Sequence, residues 1–332
     1  MIEVVVFPCT YKCNGHCIMC TIPERKVNDL SISFFESFFS HPLLYNLKSI
    51  NLTGGEPTLR KDLPELMNMI VSHCPSLREV IINTNGFCTE QILKKVIEIY
   101  EILGFEKKLW VYVSLDALDN TAEIIRGVPQ ANLKAMKTIQ ELILLRENYS
   151  RLQIGISCTI TSKNYNKLES IYQYALEKDI YTDFIYATVN TAYINSEPKK
   201  DRFELNSLQV LSVIQFFKEL ESAEKISSTK NYYKLLIRRL KAEKEYKACI
   251  FREGKGLLLE ADGKVSLCGV TNESLLGDLQ RHPVDEILKN IPKNFVKHCA
   301  NCQTDSYYGW SVEAQEAIKF EMLNAIKKMR KK

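Results

Sequence analysis

Cys13-Asn14-Gly15-His16-Cys17-Ile18-Met19-Cys20 is the stretch on which the reading of this chain turns. Its three cysteines are spaced C-x3-C-x2-C and follow an apolar run, Ile2, Val4, Val5, Val6 and Phe7, that reads as a buried strand. A tight loop with this spacing can turn three thiolates toward one centre. Iron–sulfur clusters are held by cysteine thiolates, usually four. Three leave one iron without a protein ligand, much as a catalytic zinc keeps an open position. A structural zinc site more often shows two C-x2-C pairs or Cys/His pairs. His16 is available as a fourth ligand, but it lies between two others with little room to fold back. The spacing therefore favours a cluster with a vacant corner.

Composition bounds the rest. The chain has 332 residues, 45% hydrophobic and 25% charged, and a net charge of +4 from 44 basic and 40 acidic residues. So small an excess gives no reason to expect nucleic acid. The basic end, Lys327-Lys328-Met329-Arg330-Lys331-Lys332, suits the last turn of a helix. No apolar run approaches the ~20 residues of a membrane span, so no membrane partner is expected. Met1-Ile2-Glu3 leads straight into the first strand with no export segment, and a cytoplasmic chain is the expectation. Eleven cysteines in that compartment imply reduced thiols with metal or redox roles rather than disulfides.

Strand-like runs recur at 48–52, 79–82, 109–115, 152–160 and 183–187, and helix-like periodicity at 31–39, 62–71, 89–102, 131–146 and 165–177. With the first strand they make six β/α units, which indicate an α/β fold with a parallel sheet. A doubly wound sheet and an incomplete barrel both fit. In either, ligand-binding residues belong at the carboxyl ends of the strands, where the cysteine loop stands. Residues 1–190 form the expected core. Residues 191–248 read as a linker and two helices, near 207–224 and 230–246. Residues 249–332 read as a small α+β region with a hairpin at Asp262-Gly263 and a closing helix over 312–329.

After the second strand stands Thr53-Gly54-Gly55-Glu56-Pro57, where two glycines allow backbone to approach a ligand closely. Cys13/Cys17/Cys20 after strand one, Gly54-Gly55-Glu56-Pro57 after strand two, and the six units together resemble the radical S-adenosylmethionine (SAM) superfamily. The resemblance implies a partial (β/α)6 TIM-like barrel and a [4Fe–4S] cluster on the three cysteines. The open iron would be chelated by the amino and carboxylate groups of SAM. Gly54, Gly55, Glu56 and Pro57 would face the amino group, and the backbone of Met19, where the family usually carries an aromatic residue, would lie against adenine. Ser114 and Asp116 would touch the ribose, and Arg126 would pair with the carboxylate. Asn83 and Asn85 would line the same opening, or simply make the turn with Gly86. Without the resemblance, Ser114 is a strand-end hydroxyl and Arg126 a surface ion-pair partner. The implied chemistry is one-electron cleavage of SAM to a 5′-deoxyadenosyl radical that abstracts hydrogen, fed by an external donor such as flavodoxin or ferredoxin.

Cys249, Cys268 and the C-x2-C pair Cys299/Cys302 form a second set. On spacing alone, zinc and a cluster are equal readings. The order of these cysteines is similar to the twitch form of the SPASM auxiliary domain, as in an aminocyclitol dehydrogenase, which implies one further [4Fe–4S] cluster with four protein ligands. Cys9 and Cys74 read as packing. Cys158, late in strand five, is a candidate hydrogen donor to a substrate radical, although free cysteines are commonly small buried apolar residues. Two substrate classes follow. One is a small polar metabolite such as a sugar, aminocyclitol or nucleotide sugar, dehydrogenated or epimerised. The other is a ribosomal precursor peptide. Tyr186, Thr188 and Asn190, after strand six, are positional candidates for substrate contact.

Overall fold

Valine- and isoleucine-rich runs alternate with amphipathic segments along the first half of the chain, and each becomes the element its periodicity predicts. The structure, a computed structural model, describes residues 1–189, 194, 196–223, 227–241, 249–269 and 272–291. The elements run β1 (Val4–Thr10), α1 (Ile32–Phe39), β2 (Ser49–Gly54), α2 (Leu63–His73), β3 (Glu79–Thr84), α3 (Thr89–Ile102) and β4 (Lys108–Ser114). They continue with α4 (Thr121–Arg126), α5 (Ala131–Arg146), β5 (Leu152–Ile160), α6 (Leu168–Lys178) and β6 (Tyr181–Tyr186). The short helix α4 was not expected from the pattern. It ends at Gly127, whose φ of 64° makes the left-handed cap.

The strands lie in the order β6-β5-β4-β3-β2-β1, every neighbour parallel. A right-handed crossover between strands that are adjacent in both sequence and space places each helix on the same face of the sheet. That is barrel winding, and it decides between the two parallel architectures in favour of a partial barrel. Phe7 meets Phe35 and Phe39 of α1 with ring centroids at 5.0 and 5.8 Å, so the Phe7–Leu52–Ile82–Val111–Ile154 row faces the helices. The alternate residues face the concave side. There, Trp110 and Tyr112 stack at 5.9 Å, and Tyr181 meets Tyr112 edge-on at 5.9 Å, making an aromatic floor. Gly155 gives Tyr112 its place, since a Cβ there would stand 2.5 Å from the ring. Nearer the carboxyl ends, the same face carries the row Ser114–Ser157–Asp183.

After β6 come α7 (Lys200–Phe203), α8 (Ser207–Ala223) and α9 (Ser227–Leu240). Then follow β7 (Gly256–Leu259), β8 (Lys264–Ser266), β9 (Leu275–Asp278) and α10 (Val284–Lys289). The hairpin forms at Asp262-Gly263, with Gly263 at φ 87°. Its placement differs from the expectation of a separate region beginning at 249. β7 pairs in parallel with β1, Val4 opposite Gly256, and β8 and β9 extend the same sheet. The physical reason is that β1 would otherwise be an open edge, with its N–H and C=O row unpaired on one side. The predicted helix over 312–329 lies outside the described residues.

The other edge, β6, is met by α9. The Tyr232 hydroxyl donates to Asp183 Oδ1 at 2.9 Å and accepts from the Phe184 backbone N–H at 3.3 Å, both wholly inside the protein. Tyr232→Phe keeps the ring and removes both bonds. It is expected to cost about 1–3 kcal/mol, read as a lower denaturant midpoint with an unchanged m-value.

Candidate active site

The carboxyl ends of the parallel strands meet around the cysteine loop. Residues 13–20 have no regular structure; they are held from outside. His16 N–H donates to the Arg126 carbonyl and Ile18 N–H to the Ile125 carbonyl, each at 2.9 Å, so the loop docks on the last turn of α4. Gly127 permits the approach, since a Cβ there would lie 2.5 Å from the His16 carbonyl oxygen. The three thiols are half-buried and none is in a disulfide. Backbone N–H groups point at two of them: Gly15 N lies 3.3 Å from Cys13 Sγ and Ile22 N 3.4 Å from Cys20 Sγ. Burial pushes the Cys13 thiol up to about 11 and the Cys20 thiol up to about 12, and Cys17 adds to both.

Gly54 and Gly55 serve chain-to-chain packing. Gly55 N–H donates to the Thr10 carbonyl and Glu56 N–H to the Lys12 carbonyl, both at 2.8 Å. A Cβ on Gly55 would stand 2.1 Å from the Lys12 carbonyl oxygen, and Gly54 holds φ at 124°. The strand-two loop is thus locked to the backbone leading into Cys13. Glu56 is buried, and its side chain turns inward. Oε1 accepts from Thr58 N–H (3.2 Å), Thr58 Oγ1 (2.7 Å) and Thr84 Oγ1 (2.9 Å), and Oε2 accepts from Asn85 N–H (2.7 Å). Burial raises its pKa and these four donors oppose the rise. The carboxylate therefore ties the end of β2 to the end of β3. Pro57, also buried, opens a short 3-10 turn beneath it.

Arg126 forks onto Asp116, Nε to Oδ2 at 2.5 Å and Nη2 to Oδ1 at 2.9 Å, while Nη1 reaches Cys17 Sγ at 3.8 Å. Burial works against its charge, but Asp116 and Cys17 outweigh that and hold its pKa above the ordinary value. Asp116 is fully buried and also accepts from Thr159 N–H at 2.8 Å. Its carboxylate is occupied in positioning Arg126, which differs from the expected ribose contact. Ser114 ends β4 half-buried on the concave face. Asn83 donates to Asn51 Oδ1 at 2.5 Å, and Met19 is half-buried in the turn before Cys20.

Cys158 is a correction. Its thiol is fully buried, accepts from Asn164 Nδ2 at 3.8 Å, and alternates with Ser157 and Thr159, so it lies on the helix-facing side of β5. Burial raises its pKa well above the usual thiol range. Packing, not hydrogen donation, accounts for it. Sequence reasoning undervalued Asn85 and left Asn14 and Cys88 without a role. Asn85 Nδ2 donates to Asn14 Oδ1 at 2.6 Å and approaches Cys13 Sγ at 3.9 Å, while Asn14 Nδ2 lies 3.2 Å from Cys88 Sγ. Tyr186 is half-buried at the end of β6, the Thr188 carbonyl accepts from Ser196 Oγ at 3.1 Å, and Asn190 lies outside the described residues.

In the second set, Cys249 precedes the turn into β7 and Cys268 follows β8. Cys299 and Cys302 lie outside the described residues. Among the described residues, no three His, Cys, Asp or Glu side chains converge as a single metal ion would require. A four-iron cluster asks for something different, since each thiolate ligates its own iron. Three thiols on one loop, with N–H donors and one arginine turned toward their sulfurs, fit that donor set.

Comparison with known proteins agrees with this arrangement. Residues 7–146 match the family model described as Radical SAM superfamily. The chain is 26% identical over 277 residues to a probable GTP 3′,8-cyclase of Sulfurisphaera tokodaii, covering 78% of each. It is 26% identical over 204 residues to the Fe-coproporphyrin III synthase of Methanosarcina barkeri, covering 58% of this chain and 47% of that one. Its fold is similar to native anSMEcpe with bound AdoMet and Kp18Cys peptide, with a TM-score of 0.63 and 18% identity over 99% of this chain and 98% of that one. Within this site, Glu56→Gln puts an amide donor against at least one N–H or O–H donor; we expect a loss of about 1–3 kcal/mol in denaturant unfolding, with weakened iron uptake. Residues 7–146, which hold the cysteine loop, the glycine pair locked against it and the parallel strands through β4, are the part of the chain that is similar to the radical SAM superfamily.

Proposed function

We propose that the chain is a radical SAM enzyme that removes a hydrogen atom from a C–H bond of a small polar substrate, leading to dehydrogenation or epimerisation. The observation that carries this reading is the meeting of three thiols, the Gly54–Gly55 edge and Arg126 at one end of the barrel. Cys13, Cys17 and Cys20 would ligate three irons of a [4Fe–4S] cluster, leaving the fourth to the amino and carboxylate groups of SAM. When bound, that pair supplies a 5′-deoxyadenosyl radical once an external flavodoxin- or ferredoxin-like donor reduces it. The chain's own residues do the rest. Gly15 and Ile22 N–H groups lower the negative charge on two sulfurs. Asp116 fixes the Arg126 fork beside Cys17. The aromatic floor closes the far end of the barrel to water, which protects reactive species.

The substrate class rests on the concave face. Asn83 and Ser114 stand half-buried on it near the carboxyl ends, beside the buried Asn51, Ser157 and Asp183, and this polar set suits hydroxyl and amino groups. The named relatives differ, one a probable cyclase of GTP and one a synthase of Fe-coproporphyrin III, and the matched structure holds a peptide. They support the shared radical chemistry rather than one substrate. Peptide modification is the competing reading, and substrate-derived deuterium separates them. Cys249, Cys268, Cys299 and Cys302 would hold the second [4Fe–4S] cluster, saturated by protein and suited to accept the electron that a net oxidation releases.

Anaerobically reconstituted protein with SAM and a strong reductant is expected to form 5′-deoxyadenosine, and Cys17→Ala to form at least about 100-fold less. Cys268→Ala is expected to lose about half the bound iron and keep SAM cleavage. Deuterium passing from a labelled sugar or aminocyclitol into 5′-deoxyadenosine supports the small-substrate reading. Transfer only from a peptide contradicts it.

A further inference from the structure

The segment after β6 crosses to the segment after the cysteine loop and makes a cavity at the seam. Thr21 Oγ1 donates to the Ile194 carbonyl at 2.8 Å, and Lys199 Nζ donates to the Cys20 carbonyl at 2.6 Å. The cavity, about 380 Å³, is lined by Thr21, Glu24, Arg25, Pro198, Lys199 and Arg202. A small metabolite fits such a volume.

Its charges are arranged unequally. Arg25 is held from behind, Nη1 on Glu260 Oε2 at 3.2 Å and the guanidinium 4.9 Å above the Tyr11 ring. Lys199 is fixed by the Cys20 carbonyl and by Glu24 Oε1 at 2.7 Å. Glu24 is itself 63% exposed, so its compensation is screened by solvent. Arg202 has no side-chain partner among the described residues and lies open at the mouth. Two cations are thus oriented in advance and a third is free to close on a ligand. A guanidinium fork suits a bidentate oxyanion.

We propose that this cavity binds a phosphate or diphosphate group of the substrate, which deepens and rests on the reading of a small polar substrate. Arg25, Lys199 and Arg202 hold the anion, and Thr21 lies beside them in the wall. The attachment of Lys199 to the Cys20 carbonyl places the anchored end of the substrate next to the third cluster ligand, and the remainder extends over the polar concave face. A phosphorylated sugar or nucleotide sugar has this form; a free sugar does not.

The test is isothermal titration of the reconstituted protein with inorganic pyrophosphate and, separately, with malonate. Pyrophosphate is expected to bind and to weaken steeply with added salt. Arg202→Gln is expected to weaken it about tenfold and Arg202→Glu further, with Arg202→Lys between wild type and Arg202→Gln. Arg202 is exposed, so melting temperatures should stay unchanged and the variants remain comparable. Equal binding by all four proteins, malonate binding as tight as pyrophosphate, or no binding at millimolar concentration would overturn the proposal. 5′-Deoxyadenosine formation without substrate, measured on the same samples, tests the radical chemistry independently. Cleavage without pyrophosphate binding removes the anion site alone, and binding without cleavage removes the radical reading alone.

Discussion

A single buried carboxylate governs how the carboxyl ends of the strands are held. Glu56 receives four hydrogen bonds from Thr58, Thr84 and Asn85, so the loops after β2 and β3 are tied to each other. The β2 loop is in turn locked to Thr10 and Lys12 by backbone bonds that only glycine at 54 and 55 allows. Asn85 then reaches Asn14 inside the cysteine loop. From a carboxylate out of contact with solvent, a chain of direct contacts leads to the thiols. A buried carboxylate is tolerated only when its lone pairs are satisfied, and satisfying them here assembles the site.

The second support comes from the other side of the opening. Asp116, at the end of β4, is out of solvent and holds Arg126 by both oxygens while also accepting from Thr159. Arg126 carries its remaining N–H toward Cys17, and its carbonyl anchors the loop at His16. One residue thus positions the loop by backbone and the sulfur by side chain. The loop itself has no regular structure, so these outside contacts give it the fixed geometry that a cluster needs.

Local pattern made the barrel and the cysteine loop legible in the sequence. Alternating strand and helix periodicity is a nearest-neighbour property, and C-x3-C-x2-C lies within eight residues. The side-chain contacts were not legible for the opposite reason. Glu56 meets Asn85 across 29 positions, Asn14 meets Cys88 across 74, and Tyr11 donates to Glu260 across 249. Nothing in the local pattern at either end signals such pairs. Cys158 shows the matching error: its place late in a strand was correct, but strand parity turns its thiol to the helices. The hairpin at Asp262-Gly263 was read correctly as a hairpin, yet its docking on β1 followed from an edge that only the folded sheet exposes.

The account stands on three thiolates leaving one metal corner to SAM. The most direct measurement is electron–nuclear double resonance on the reduced, reconstituted protein with SAM labelled by ¹⁷O in the carboxylate and ¹⁵N in the amino group. The account predicts that both labels couple to the cluster spin, and that the coupling is lost when Cys17 is replaced by alanine. A reduced cluster whose signal is unchanged by labelled SAM would contradict it.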